Sequence, residues 1–244
     1  MRIHDFRRRF AIVALIAAQT GVANAADRIE VAQFDISIRG LSAATLSLGA
    51  AVEAKTYAAN GTLKSSGVLG FFRKIRYDAQ VAGRLSGKRF IPSRYVENAD
   101  TGKRQSQAVM GYVAGTPQVK SYSPPRPPSE DGIDPRTQGG TVDPLTALYA
   151  VLRDLPASEA CNLHISLFDG RRRSQVVLAP PDTKAENITC QGEYRRLDGF
   201  SAKDMAEKTR FPFFLTYGPA DGGMVHVTEI SMDTLYGKGR MIRR

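Results

Sequence analysis

The chain contains no tryptophan, only two cysteines and only three histidines in 244 residues. Each scarcity excludes a class of function. Without tryptophan, and with aromatics at 8 %, the chain lacks the stacking platform that single-stranded nucleic acid needs, so nucleic acid is not an expected partner. The two cysteines, Cys161 and Cys190, are too far apart for a C-x-x-C redox motif, and two ligands alone cannot close a zinc site. His4 sits near the N-terminus, His164 alternates with apolar Leu163, Ile165 and Leu167, and His226 lies in the strand-like run "MVHVTEISM". Scattered in this way, they point to no metal and no cofactor. Also missing are a G-x-S-x-G nucleophile elbow, an H-E-x-x-H pair and any glycine-rich phosphate loop. Ser201-Ala202-Lys203 places a hydroxyl near an amine without a wider constellation. Asp35, Glu53, Asp78, Glu97, Asp169, Glu193 and Asp198 form no recognisable pair. The expectation is a protein that is not an enzyme. The alternative is an envelope hydrolase or transferase with an unrecognised active site.

No apolar run is long enough to span a bilayer, which takes about 20 residues. The longest, Phe10 to Ala18, follows Arg2, Arg7, Arg8 and Arg9 and precedes Ala23-Asn24-Ala25. A basic start, a short apolar stretch and a small-x-small site describe a secretory signal peptide over residues 1–25, cleaved after Ala25. Its removal takes away four arginines and one aspartate, so the net charge falls from +10 to +7 over the remaining 219 residues. That style of leader implies the periplasm, an oxidising compartment in which two cysteines pair. Positive charge outside the cytoplasm suits anionic envelope material such as phospholipid head groups, or serves solubility alone.

Residues 26–244 read as one domain, mainly β. "IEVAQFDISIRG", "ATLSLGAAVEA" and "RQSQAVMGYVAG" are strand candidates, and "RKIRYDAQVAGRLSGKRFIPSRYVEN" reads as a hairpin turning at Leu85-Ser86-Gly87, with Pro92 marking an edge or bulge. Asn60-Gly61 is a hairpin signal. A turn near Glu53-Ala54-Lys55, with Tyr57 to Ser65 as one strand, is equally open. Residues 121–141, including "SPPRPPSEDGIDPRTQGGT", read as an exposed loop of polyproline character. The one convincing helix covers about 143–155. Asp143 is its N-cap and Pro144 its first residue, Leu145, Leu148, Leu152 and Leu155 recur at helical spacing, and Pro156 stops it. Its apolar stripe must bury on a sheet face or in the mouth of a barrel. The expected fold is a curved antiparallel sheet, or a spiral, partly open β-barrel, with this helix packed on it.

Cys161 begins one strand and Cys190 falls two strands later, so a three-strand meander brings them together as a staple across a hairpin. Arg171, Arg172 and Arg173 follow the Asp169-Gly170 turn. Three adjacent arginines cannot all face a core. With Arg195 and Arg196 they suggest an exposed basic tip, either a solvated charge run or a contact for an anionic ligand. In "GVLGFF", Val68, Leu69, Phe71 and Phe72 are candidates for lining an apolar cavity or groove, with ordinary core packing as the alternative. The final "RMIRR" is expected to fray or to pair at a sheet edge.

The succession "DPLTALYAVLR", "FDGRRR" and "CQGEYRRLDGF", with "GRLSGKRFIPSRY" upstream, resembles the bacterial periplasmic domains of unknown function DUF3108 over nearly all of the mature chain. The resemblance carries over no catalytic residues. It is similar in plan to spiral β-barrel envelope-integrity proteins and to the lipoprotein-carrier fold, which implies an envelope role and an apolar cavity. The resulting expectation is a periplasmic monomer supporting envelope integrity by binding a lipid, a lipoprotein or a partner protein, in contact with an anionic membrane surface. A scaffold that only touches other proteins is the plainer reading.

Overall fold

The computed structural model describes residues 28–125, 131–180 and 188–244, apart from the side chains of Val68 and Leu69. The leader expected over 1–25 lies outside them, as does part of the Pro-rich stretch. The N-terminal half is a meander of β1 (Arg28–Ile38), β2 (Leu41–Glu53), β3 (Thr56–Ser65), β4 (Arg76–Ser86), β5 (Arg89–Asp100), β6 (Gln105–Val113) and β7 (Thr116–Ser123), with a short helix α1 (Gly67–Phe72) after β3. Helix α2 (Pro144–Leu152) and the two-residue β8 (Leu155–Pro156) follow. A second meander contains β9 (Leu163–Phe168), β10 (Arg173–Leu178), β11 (Thr189–Asp198), β12 (Arg210–Pro219), β13 (Met224–Thr234) and β14 (Gly237–Arg243), with α3 (Ala202–Glu207) before β12.

All the strands form one sheet, ordered β7-β6-β5-β4-β3-β2-β1-β14-β13-β12-β11-β10-β9, with β8 paired to β13. The fold is thus mainly β, an antiparallel sheet curled into a nearly closed barrel. Strict alternation drives it. In β12 Phe211, Phe213, Leu215 and Tyr217 point inward, while Arg210, Pro212 and Phe214 point out. The first and last strands pair, Phe34 opposite Arg243 through Ile38 opposite Gly239, and this joins the two meanders. The C-terminal run therefore lies in the middle of the sheet and not at an edge. Its arginines are held there, Arg240 by Glu229, Arg243 by Asp154 and Arg244 by Asp35. Between β2 and β3 the chain turns at Ala54-Lys55. Asn60 and Gly61 lie inside β3, where Gly61 receives the Leu145 side chain.

The open edges β7 and β9 face each other across a seam that residues 131–142 close. Ile133 N–H donates to the Arg171 carbonyl, Gly140 N–H to the Gly115 carbonyl, Val142 N–H to Ser166, and Phe168 N–H back to Val142. Gln138, Thr141 and Val142 are buried. The second half of the expected exposed loop is therefore a stitched closing segment, because two sheet edges left unpaired must satisfy their backbone groups.

Helix α2 lies inside the curl. Seven of its nine residues are buried, so it is apolar nearly all round, as an internal helix must be. It ends at Leu152, earlier than the expected 155. Pro156 disfavours helical backbone at Leu155, and Leu155–Pro156 pairs with Met224–Val225 instead. At its start Asp143 Oδ1 accepts from Thr146 N–H at 2.8 Å and Oδ2 from the Thr146 hydroxyl at 2.7 Å. That hydroxyl in turn accepts from Tyr57 of β3 at 2.8 Å. Phe90 packs edge-on against Tyr57 and Tyr149 at 5.0 and 5.6 Å. At the other end Glu30 of β1 accepts from the Tyr149 hydroxyl at 3.2 Å and from Asp154 N–H at 3.1 Å.

Cys161 and Cys190 are bonded, with Cα atoms 5.2 Å apart and both residues buried. The bond does not cross a hairpin. Cys161 precedes β9 with φ of 60°, while Cys190 lies in β11, and β10 separates those strands in the sheet. The incoming chain passes over the inner face, so the bond ties the exit from α2 to the barrel wall. Replacing both cysteines with alanine is expected to cost about 3–4 kcal/mol in urea unfolding, from the loop-closure entropy of this separation.

Asp143 is fully buried, and burial pushes its carboxyl up to about 6 despite its capping bonds. A raised folded-state value means that its contribution is fully present below the unfolded value and is lost as pH rises through about 6. Asp143→Asn retains the cap but cannot titrate. Between pH 7 and pH 4 the wild type should therefore gain on the variant by up to about 3 kcal/mol, read from paired urea titrations at each pH.

Candidate ligand groove

Helix α2 does not fill the barrel. Its Pro144, Ala147, Leu148 and Val151 form one wall of a groove of about 440 Å³. The opposite wall comes from Ile36 and Ile38 of β1, Met241 of β14, Ile230 and Met232 of β13, Phe213 of β12, Tyr194 of β11, Val176 of β10 and Leu167 of β9. The sulfurs of Met232 and Met241 give part of that wall adaptable packing. Phe213 lies flat on β11 because Gly192, opposite it, has no Cβ; a Cβ there would fall 2.2 Å from the ring. Polar atoms are few. Ser37, Thr234 and Arg240 stand at the end where β1 and β13 finish and β14 begins. The Arg240 guanidinium is engaged by Glu229 at 2.8–2.9 Å. A groove lined this way favours an apolar guest, and its volume is within the range of ligand pockets.

A second hollow of about 580 Å³ lies on β1–β5, lined by Gly49, Ala51, Ala58, Ala82 and their neighbours. It is a trough made by small side chains on one sheet, without an opposing wall. The groove beside α2 has walls from two elements and is the better candidate.

The sites expected from sequence fall elsewhere. Phe71 and Phe72 line neither cavity nor core. They are 87 % and 79 % exposed and touch each other edge-on at 5.3 Å. They sit on a one-and-a-half-turn helix at the barrel rim, too short to fold back inward; the side chains of Val68 and Leu69 lie outside the described set. The arginine run is not a free basic tip. Arg171 and Arg172 N–H groups donate to Asp169 Oδ1, and the Arg172 guanidinium pairs with Asp169 and lies 5.2 Å over Phe200. Arg173 is half-buried against Gln138 of the seam. Arg195 pairs with Glu193, while Arg196 donates to the Asp204 and Lys208 carbonyls and covers Phe200 and Phe211. These cations close the turn and the seam. Ser201 is likewise engaged: it caps α3, accepting from Asp204 N–H at 3.1 Å and donating to the Asp204 carboxylate at 2.8 Å. Both oxygens of the Asp143 carboxylate are bound inside the helix cap, so its raised value reflects structure and not a poised acid. Among the described residues no three His, Cys, Asp or Glu side chains gather as metal ligands.

The groove residues carry a weak sequence signal. Alternation in "MVHVTEISM" and the leucine spacing of α2 mark them as inward-facing. Nothing local shows that β13, β14 and β1 would be neighbours, which is what sets Met232, Met241 and Ile36 around one void.

A mainly β, barrel-like wall wrapped around an internal helix, with an apolar groove between them, defines the class. The chain belongs to the family described as protein of unknown function DUF3108, whose model matches residues 33–202. The match spans α2, the "FDGRRR" turn and both cysteines. Among solved structures the chain is similar to a beta-barrel-like protein of domain of unknown function DUF1849 from Brucella abortus, at 14 % identity over 89 % of this chain and 95 % of that chain, with a TM-score of 0.48. No curated protein matches the chain.

Arg172→Ala should lower stability by about 1 kcal/mol, the sum of a partly exposed ion pair and a cation–π contact. Thermal unfolding at low and high salt separates the two, since only the ion pair is screened.

Proposed function

We propose that this is an exported, non-enzymatic protein of the cell envelope that holds an apolar chain, the acyl part of a lipid or lipoprotein, in the groove beside α2. The supporting observation is the groove itself: about 440 Å³ with apolar walls on both sides and polar groups only at one end. Each methylene of a guest transferred from water into such a space contributes about 0.8 kcal/mol, so a chain needs few polar contacts to be held. The cysteine pair fits a protein that matures in an oxidising compartment.

Native mass spectrometry of the chain purified from a bacterial periplasm tests the reading, followed by extraction of whatever is bound. The expected result is a lipid or acyl adduct on the wild type that is lost in Leu148→Arg and in Val176→Arg, each of which puts a charge in the void. Circular dichroism shows whether the variants keep the fold. An apo mass for the wild type, or an adduct untouched in both folded variants, overturns the reading.

A further inference from the structure

The rim beside the polar end of the groove carries exposed apolar groups that the groove does not use. At this end β1 turns into β2 at Arg39-Gly40, β13 turns into β14 at Leu235-Tyr236, and α1 follows β3. These three tips are successive along the sheet. Arg39 N–H donates to the Lys238 carbonyl at 2.8 Å, the Arg39 side chain covers Gly237, and Ser66 N–H donates to the Ala43 carbonyl at 2.9 Å. Phe71, Phe72 and Tyr236 are the most exposed aromatic side chains among the described residues, at 87 %, 79 % and 72 %. Leu41 and Leu235 are exposed beside them, at 58 % and 42 %. Isolated apolar groups are ordinary on a surface, but several on adjoining tips need a partner. The tips are held in place. The Thr234 hydroxyl donates to the Gly237 carbonyl and accepts from Tyr236 N–H, and the Arg73 guanidinium donates to the Thr101 carbonyl.

Charge distinguishes between occupants. Arg39, Arg73, Lys74 and Lys238 are exposed among these tips, and none forms an ion pair among the described residues. Two exposed acids lie nearby, Asp233, which stands opposite Lys238, and Glu207, next to the Lys208 whose ammonium donates to the Asp233 carbonyl; the four cations outnumber them. A second copy of this chain would bring like cations face to face. An anionic bilayer meets both features: its surface potential draws lysine and arginine, and its interface accepts tyrosine and phenylalanine.

We propose that this rim docks on an anionic phospholipid surface, with Phe71, Phe72, Leu41, Leu235 and Tyr236 entering the interface and Arg39, Arg73, Lys74 and Lys238 facing the head groups. Docking would hold the polar end of the α2 groove against the bilayer, a consequence that rests on the acyl-holding role proposed above. The docking itself does not rest on that role.

The chain has no tryptophan, so Phe71→Trp supplies a unique fluorophore at the rim and Tyr236→Trp a second. Each is mixed with vesicles of phosphatidylglycerol or of phosphatidylcholine at low salt. The expected result with phosphatidylglycerol is a blue shift of emission, quenched by brominated acyl chains and reversed by salt. With phosphatidylcholine no shift is expected. Adding Arg73→Gln or Lys74→Gln to the reporter should weaken partitioning about fivefold per cation. Absence of a shift with anionic vesicles overturns the proposal. So does a shift that follows protein concentration without lipid, which would assign the rim to self-association. Vesicle binding that persists when native mass spectrometry finds no adduct would remove the groove reading alone. An adduct without vesicle binding would remove the docking alone.

Discussion

Burial of α2 inside the curled sheet is the interaction on which the rest of the structure depends. A sheet of this many strands has a large apolar face, and neither half of it could cover that face alone. Tyr149 and Leu152 are essentially inaccessible, and the helix contributes buried side chains on nearly every side. Its two ends are fixed to the wall at separate strands. The Asp143–Thr146–Tyr57 chain of hydrogen bonds holds the start to β3, and Glu30 holds the end to β1. Burial raises the Glu30 carboxyl above its ordinary value, and Arg28 beside it offsets part of that. The disulfide then ties the chain leaving α2 to β11. A helix pinned at both ends cannot slide to fill the barrel, and the space beside it persists as the groove.

Closure is achieved twice by different means. The first and last strands of the described residues, β1 and β14, pair directly in the middle of the sheet. The outer edges β7 and β9 do not pair. The segment before α2 runs between them, bonding the β9 edge through Val142 and the β6–β7 turn through Gly140. That segment leads straight into the helix, so closing the seam and placing the plug are one event in the chain. The arginines after Asp169 are engaged at the same seam, which is why a run with the look of a ligand contact serves the fold. Arg39, Arg73, Lys74 and Lys238, which form no ion pair among the described residues, stand instead at the rim where β1 and β13 finish.

Much of this was legible in the residues. Alternation, turn residues and the absence of long helical periods specify strands. Asp143-Pro144 and the leucine spacing specify a helix start and its apolar side. The cysteine pair specifies one bond. The "DPLTALYAVLR … FDGRRR … CQGEYRRLDGF" succession places the chain in its family. These are local signals, because backbone propensity, capping and side-chain period act over a few residues. Where two local signals competed, as at Ala54-Lys55 against Asn60-Gly61, only pairing with β2 and β4 decided.

What the sequence alone determined is therefore the kind of element at each stretch and which face of it is apolar. The tertiary structure decided what those faces meet. "GVLGFF" has the composition of a cavity lining, yet its phenylalanines stand in solvent, because a short helix at a rim has no facing wall. "RMIRR" has the composition of a frayed end, yet it lies between β1 and β13 as the strand that joins the two halves. The groove is made by residues from seven strands and a helix, from Ile36 to Met241. Contacts over that separation come from the order in which strands pair, a property of the folded chain as a whole that no window of sequence contains.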